Sequence, residues 1–160
     1  MYLIFITVGM CASYFTLFYL FPYFFNNKIT RLNSQFLYSI LYITVLSLLG
    51  YVVVFSIPHE EWSNRILHGF SGGFLSFFVC FLAARDSRVS LSRFQFFLFS
   101  FLIVTALGVV NEIFEFIGQG YFHIEFAFGV FDTWLDLVSN WTGAVLAALC
   151  FVPFLNKPKR

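Results

Sequence analysis

Acidic, amide and basic side chains occur in three short stretches of an otherwise apolar chain. These stretches hold Arg65 and His68; Asn111, Glu112 and Glu115; and Asp132, Asp136 and Asn140. Imidazoles and carboxylates are the side chains that most often move protons, and Mg²⁺ prefers carboxylate oxygens as ligands. Several acids held together repel one another unless a metal ion, another cation, shared protons or basic residues neutralise them. The stretches therefore predict a site for proton transfer or metal binding.

Four residues are predicted to act both as catalytic groups and as metal ligands: His68, Glu112, Glu115 and Asp136. Four others are predicted to support them: Arg65, Asn111, Asp132 and Asn140. The expected cofactor is a divalent metal such as Mg²⁺. For Asp132 a structural role is as well founded as a functional one, because an acid suits the start of a helix and can reach the membrane interface. A lone histidine is more often a packing residue, but among carboxylates His68 becomes a candidate for proton transfer.

The composition places these groups in a membrane. Of the 160 residues, 60% are hydrophobic and only 11% are charged. A soluble domain has about 25% charged residues, and one of this length could not bury so much apolar surface. The net charge of +1 gives no reason to expect a nucleic-acid partner. The three cysteines lie far apart in apolar runs, which does not fit a zinc site.

Five segments are long and apolar enough to span a membrane as helices. They are residues 2–25, 36–57, 62–84, 94–117 and 132–154. The chain is therefore predicted to be an all-α integral membrane bundle that forms a single domain over residues 1–160. Basic residues follow the first, third and fifth segments only, at Lys28 and Arg31, at Arg85, Arg88 and Arg93, and at Lys157, Lys159 and Arg160. The positive-inside rule then predicts an outside N-terminus and a cytoplasmic C-terminus.

The same topology brings the ionisable groups to one level. With a rise of ~1.5 Å per residue, His68 lies roughly 9 Å from the outer end of its segment, Glu112 roughly 8 Å and Asp136 roughly 6 Å. Gly69 and Gly73 form a GxxxG pattern, which lets another helix approach closely. We therefore expect the polar faces of the last three segments to meet in a wet pocket in the outer leaflet.

These motifs resemble the VanZ-like family of small bacterial membrane proteins. That family has a basic residue and a histidine near the start of one span, then a Glu followed three residues later by a Gln, and a D-x-x-x-N-x-x-G-A string in the last span. The matching strings here are Asn64-Arg65-Ile66-Leu67-His68, Asn111-Glu112-Ile113-Phe114-Glu115 and Asp136-Leu137-Val138-Ser139-Asn140-Trp141-Thr142-Gly143-Ala144. The resemblance implies a multi-pass protein of the bacterial plasma membrane with a role in the cell envelope or in glycopeptide antibiotic resistance.

Two departures from the family pattern make this site more acidic. Glu115 stands where many members have Gln, and the outer loop before the last segment lacks the arginine that many members carry. A related branch of membrane proteins uses E-x-x-E and D-x-x-x-D strings, and Asp132 together with Asp136 fits the second of these.

Three classes of function remain open. The first is an outer-leaflet enzyme or binder for a lipid-linked envelope molecule, in which a metal bridges phosphate groups and Glu112 or His68 moves a proton. The second is a proton- or cation-linked transporter, which ranks lower because the inner halves of the segments lack polar stations. The third is a non-catalytic subunit that associates with a membrane partner or with copies of itself. Membrane lipids are expected partners in every case.

Overall fold

The computed structural model describes residues 2–123 and 129–155. Over these residues the chain forms helices and no strand, and five helices are long and apolar enough to cross a membrane. They are α1 (Tyr2–Asn26), α2 (Ser34–Phe55), α3 (Glu60–Asp86), α4 (Arg93–Phe122) and α5 (Val130–Phe151), with a short 3₁₀ turn at Val152–Phe154. The predicted all-α fold class with five long apolar helices is confirmed.

Local signals explain where several helices begin and end. Asn33 accepts a hydrogen bond from the Phe36 amide and so caps α2. Ser92 and Gln95 form a capping box at the start of α4. That helix ends at His123, which adopts the left-handed conformation with φ 54°. It therefore continues five residues beyond the predicted limit at residue 117, through Gly118 and Gly120.

The two ends of the bundle differ in charge. We call the end that carries residues 27–33 and 87–92 the basic end, since Lys28, Arg31 and Arg88 lie there. The opposite end, where α3 and α5 begin and α4 finishes, is called the acidic end. Lys157, Lys159 and Arg160 lie outside the described residues. Which end faces the outside remains a prediction from the basic loops.

Helix α3 occupies the centre of the bundle. It contacts all four other helices. In its most apolar stretch 61% of the residues are buried, against 28% in the corresponding stretch of each other helix. Its middle third, His68–Leu75, is π-helical, and regular α-helix continues on both sides. Wide helical turns of this kind are uncommon and occur frequently at functional sites. The functional residues of α3 therefore lie in and just before an irregular segment of the most buried helix.

Helices α3 and α5 touch through their main chains. A Cβ atom on Gly73 would overlap the carbonyl oxygen of Asn140 and lie 2.8 Å from the amide nitrogen of Ala144. A Cβ atom on Gly143 would in turn overlap the carbonyl oxygen of Gly69. The close approach predicted from the Gly69–Gly73 pattern is confirmed, and it fixes the register between the two helices that carry most of the polar groups.

A second polar cluster lies at the basic end and was not predicted. The Asp86 side chain is fully buried, and it accepts hydrogen bonds from Tyr14 (2.8 Å), Ser39 and the Arg85 Nε atom (2.7 Å). The Asp86 carbonyl accepts a further bond from Asn33. Helices α1, α2 and α3 are thereby joined at one carboxylate, whose bonds are satisfied within the protein. We assign this cluster a structural role.

Candidate functional site

Arg65 joins the N-terminal parts of α3 and α5. Its guanidinium forms ion pairs with Asp132 and Asp136 and donates a hydrogen bond to the Asp132 carbonyl oxygen at 3.1 Å. Asn64 donates from Nδ2 to both carboxylate oxygens of Asp136, at 3.1 and 3.3 Å. An arginine fork suits this geometry because it can serve two carboxylates at once. Asp136 is fully buried, so solvent cannot balance its charge, and Arg65 balances it instead.

His68 lies between two carboxylates that come from different helices. Its Nε2 atom is 3.6 Å from Oδ2 of Asp136, and its Nδ1 atom is 4.0 Å from Oε1 of Glu112. All three side chains are buried. Both distances exceed that of an ordinary hydrogen bond, so the imidazole is near each acid without being bonded to it.

Three of the predicted ligands converge. His68, Glu112 and Glu115 each offer one ligand atom, and these atoms lie within 4.8 Å of one another. Two ligands on opposite sides of a Mg²⁺ or Ca²⁺ ion are roughly 4–5 Å apart, so one small hard cation would fit between them. Asp136 lies outside this group of three, on the other side of the His68 ring. The structure therefore divides the predicted set into a three-residue group and an arginine-bound acid.

Glu112 is the unusual member of the group of three. Only 7% of its surface is exposed, and neither carboxylate oxygen has a hydrogen bond of normal geometry with the described residues, although the side chains of Thr133 and Asn111 approach it. By contrast, Glu115 accepts a bond from Asn111 Nδ2 at 2.8 Å. A buried carboxylate without donors is costly, since each unsatisfied polar group costs about 1–3 kcal/mol and a charged group costs more. Glu112 is thus a buried carboxylate whose charge is poorly compensated by the described residues.

Asn140 provides a second unsatisfied group beside the first. It is buried, and its Oδ1 atom has no partner within the described residues. The amide fits because its neighbours lack side chains: a Cβ atom on Gly72 would overlap Oδ1, and one on Gly108 would lie 3.1 Å from Nδ2. Both Asn140 and His68 face the same cavity.

That cavity is a groove of about 650 Å³ bounded by α1, α3, α4 and α5. At the acidic end His68, Asn111 and Asn140 form its wall, whereas most of the remaining lining is apolar. A smaller cavity of about 260 Å³ lies between α4 and α5 and shares Asn140 with the groove. Of the four predicted central residues only His68 lines this groove, and the body of the groove extends into the apolar part of the bundle.

Two features of the site were not predicted from the sequence. Asn64 was not recognised as a partner of Asp136, although it directly precedes Arg65 and lies one helical turn before His68. The contribution of α1 to the groove was also missed, because α1 carries no charged residue and only its contacts reveal it. Arg65, Asn111, Asp132 and Asn140 do contact or adjoin the predicted central residues.

No curated protein and no solved structure matches this chain. One family model does match it, over residues 4–157, and its description, predicted membrane protein, names no activity. The match confirms the membrane class, while the VanZ-like relationship stays a prediction. Because the matched residues are nearly the whole length, the chain belongs to the family of predicted membrane proteins called DUF2238.

Proposed function

We propose that this protein binds a hard divalent cation through His68, Glu112 and Glu115 and that it uses the cation to hold the phosphate of a membrane lipid. The observation that carries the proposal is Glu112, whose two oxygens are buried without partners beside two other potential ligands. A cation would supply the missing charge. Carboxylate oxygens favour Mg²⁺ or a similar ion.

The surrounding residues fit such a site as positioning groups. Asn111 orients Glu115 through its 2.8 Å hydrogen bond. Arg65 neutralises Asp132 and Asp136, so these acids do not add uncompensated charge beside the cation. Second-shell contacts of this kind commonly fix the orientation of metal ligands. The bound cation would polarise a phosphate oxygen, and Asp136, which lies 3.6 Å from the Nε2 atom of His68, would help to orient the ring as a ligand.

The class of ligand follows from the location of the site. The group of three lies near one end of helices that cross a membrane, where lipid headgroups are the available phosphate. The VanZ-like resemblance favours a lipid-linked precursor of the cell envelope as the natural ligand and the bacterial plasma membrane as its location. In the catalytic form of the proposal, Glu112 would take a proton from a water that attacks the phosphorus and would return it to the alcohol that leaves as the P–O bond breaks.

Transport ranks below binding for a structural reason. Buried Ser71 and Ser76 follow His68 along the groove, but Leu17, Val79 and Cys80 form the far part of its lining. A proton or cation pathway needs polar groups throughout. The described lining of the groove offers them in only one part.

The direct test is the metal content of the purified protein after dialysis against Mg²⁺ or Mn²⁺. We expect about one ion per chain in the wild type and in Glu61→Gln, whose acid is exposed at the same end. Glu112→Gln should bind at least about tenfold more weakly, since even second-shell changes cost about 10–100-fold. A wild-type protein that takes up no ion, or a Glu112→Gln protein that binds as tightly as the wild type, would exclude the proposal.

A further inference from the structure

We propose that the groove holds one hydrocarbon chain of a phosphorylated membrane lipid, with the lipid headgroup beside His68 and Asn140. The metal-binding function proposed above concerns the headgroup alone. The chain site depends on the shape of the groove and on its contact with the lipid phase, so it can be tested separately.

The dimensions of the groove suit an extended chain. Along α3 its lining runs from Leu67 to Cys80, a distance of at most roughly 20 Å at the α-helical rise, since the wide turns of His68–Leu75 shorten it. Its volume of about 650 Å³ is within the range of about 300–1,000 Å³ found for small-molecule sites. An object that fills it is therefore long, narrow and of lipid size.

Polarity changes along the groove in one direction. The end beside the group of three presents His68, Asn111 and Asn140 among apolar side chains such as Leu67 and Phe114. The opposite end presents Leu17, Val79 and Cys80. A ligand with a polar head and an apolar tail matches both ends in a single orientation, whereas a wholly polar solute would leave the apolar end unmatched.

The groove opens sideways between α1 and α4. Helix α1 packs mainly against α2 and the Ser76–Asp86 part of α3, while α4 packs against α3 and α5. On the α4 side, the lining residues Val110 and Phe114 are 43% and 68% exposed. Within a membrane these exposed side chains face lipid. A lipid chain can therefore enter from the bilayer without passing through water.

Gly9 offers a way to close the groove without disturbing the core. It lies on α1 in the lining, and a Cβ atom there would meet nothing within 4 Å. Replacing a helical glycine also favours the helix. Gly9→Phe should therefore fill the groove and leave the fold intact. Val8→Phe is the matched control, because Val8 is exposed on the same helix and does not line the groove.

The experiment uses the full chain in lipid nanodiscs with a phosphatidylglycerol that carries a photoreactive diazirine in one acyl chain. We expect labelling of the groove-lining segments of α1 and α4 in the wild type and in Val8→Phe. In Gly9→Phe the labelling should fall by at least about tenfold, which corresponds to about 1.4 kcal/mol. A diacylglycerol with the same photoreactive chain should label the groove more weakly, because it lacks the phosphate.

Equal labelling of Gly9→Phe and Val8→Phe would overturn the proposal, and so would equal labelling by the diacylglycerol. Thermal unfolding of both variants checks that they fold. Metal binding by Gly9→Phe should match that of the wild type, since Gly9 is not among the three ligands. The two proposals can fail separately. If Gly9→Phe loses the groove labelling and the wild-type protein binds no metal, the hydrocarbon-chain site is supported and the metal-binding function is refuted.

Discussion

The Nδ1 atom of His68 lies 4.0 Å from the Oε1 atom of Glu112, although α3 and α4 carry them separately. A purely structural pair would be expected to close to a hydrogen bond of about 2.7–3.2 Å. Here the two groups face each other across a gap, and the gap is bordered by Glu115 as well. A cation bound between the buried acid and the imidazole, as proposed above, would bridge this gap.

The first prediction concerns the stability cost of Glu112. Because its oxygens are buried and unpartnered, Glu112→Met should raise the stability of the metal-free protein by about 1–3 kcal/mol. The same variant should lose the stabilisation that added Mg²⁺ or Mn²⁺ gives the wild type. Thermal unfolding in chelator and in excess metal measures both effects.

The control for this prediction is Glu61→Met, since Glu61 is exposed on the first turn of α3. Its stability should change by less than about 0.5 kcal/mol. If Glu112→Met instead destabilises the chelated protein, then Glu112 is already satisfied without a ligand, and the argument from its missing partners fails.

The second prediction concerns the ion pairs of Arg65. Arg65→Gln should destabilise the protein by about 3–5 kcal/mol, because two buried acids lose their counter-charge. Arg65→Lys should recover only part of this loss, since an ammonium group cannot serve both carboxylates as a fork. Equilibrium unfolding in mixed micelles gives the differences.

A double-mutant cycle tests whether the effect belongs to this pair of helices. Adding Asp136→Asn to Arg65→Gln should restore part of the lost stability, with a coupling of about 0.5–3 kcal/mol. Simple additivity of the two substitutions would show that Arg65 does not stabilise α5 through Asp136.

The sequence predicted the fold and most of the site because membranes impose simple rules. The lengths of the apolar segments predicted all five helices. The acidic residues within those segments indicated which side chains converge at one end of the bundle. The sequence did not predict which acids are paired with basic residues and which are not. Glu112 and Asp136 are both buried carboxylates on helices, yet Arg65 and Asn64 contact Asp136 and do not contact Glu112. Such pairing depends on how the helices rotate against one another, which a single sequence does not encode in its periodicity.

The π-helical segment and Asp86 escaped prediction for related reasons. His68–Leu75 contains three glycines, which do not by themselves specify a π-helix, and its wide turns lie where these glycines pack against α5. Asp86 directly follows Arg85 at the end of α3, and an acid at that position opposes the helix dipole. An acidic residue at the C-terminal end of a helix therefore indicates that Asp86 has partners from other helices.

The third prediction uses Asp86 to separate structure from function. Tyr14→Phe should cost about 1 kcal/mol, because it removes one hydrogen bond to Asp86, while Asp86→Ala should cost more, since it leaves several buried donors unpaired. Neither variant should alter metal affinity at the acidic end, as the cluster joins the helices at the other end. Thermal unfolding and metal titration on the same samples make the comparison. A change in metal affinity in Tyr14→Phe would contradict the purely structural role.

The fourth prediction concerns the contact between α3 and α5. Gly73→Ala places a Cβ atom on the carbonyl oxygen of Asn140, and because main-chain atoms cannot rotate away, the helices must separate. We expect a loss of at least about 1–3 kcal/mol together with weaker metal binding, since His68 moves with α3. Gly120→Ala is the matched control: nothing lies within 4 Å of its Cβ position, and removing a helical glycine should add about 0.5–1 kcal/mol. Equal stability of the two alanine variants would mean that α3 and α5 do not touch through Gly73, and the positions of His68 and Asn140 beside the groove would then need another explanation.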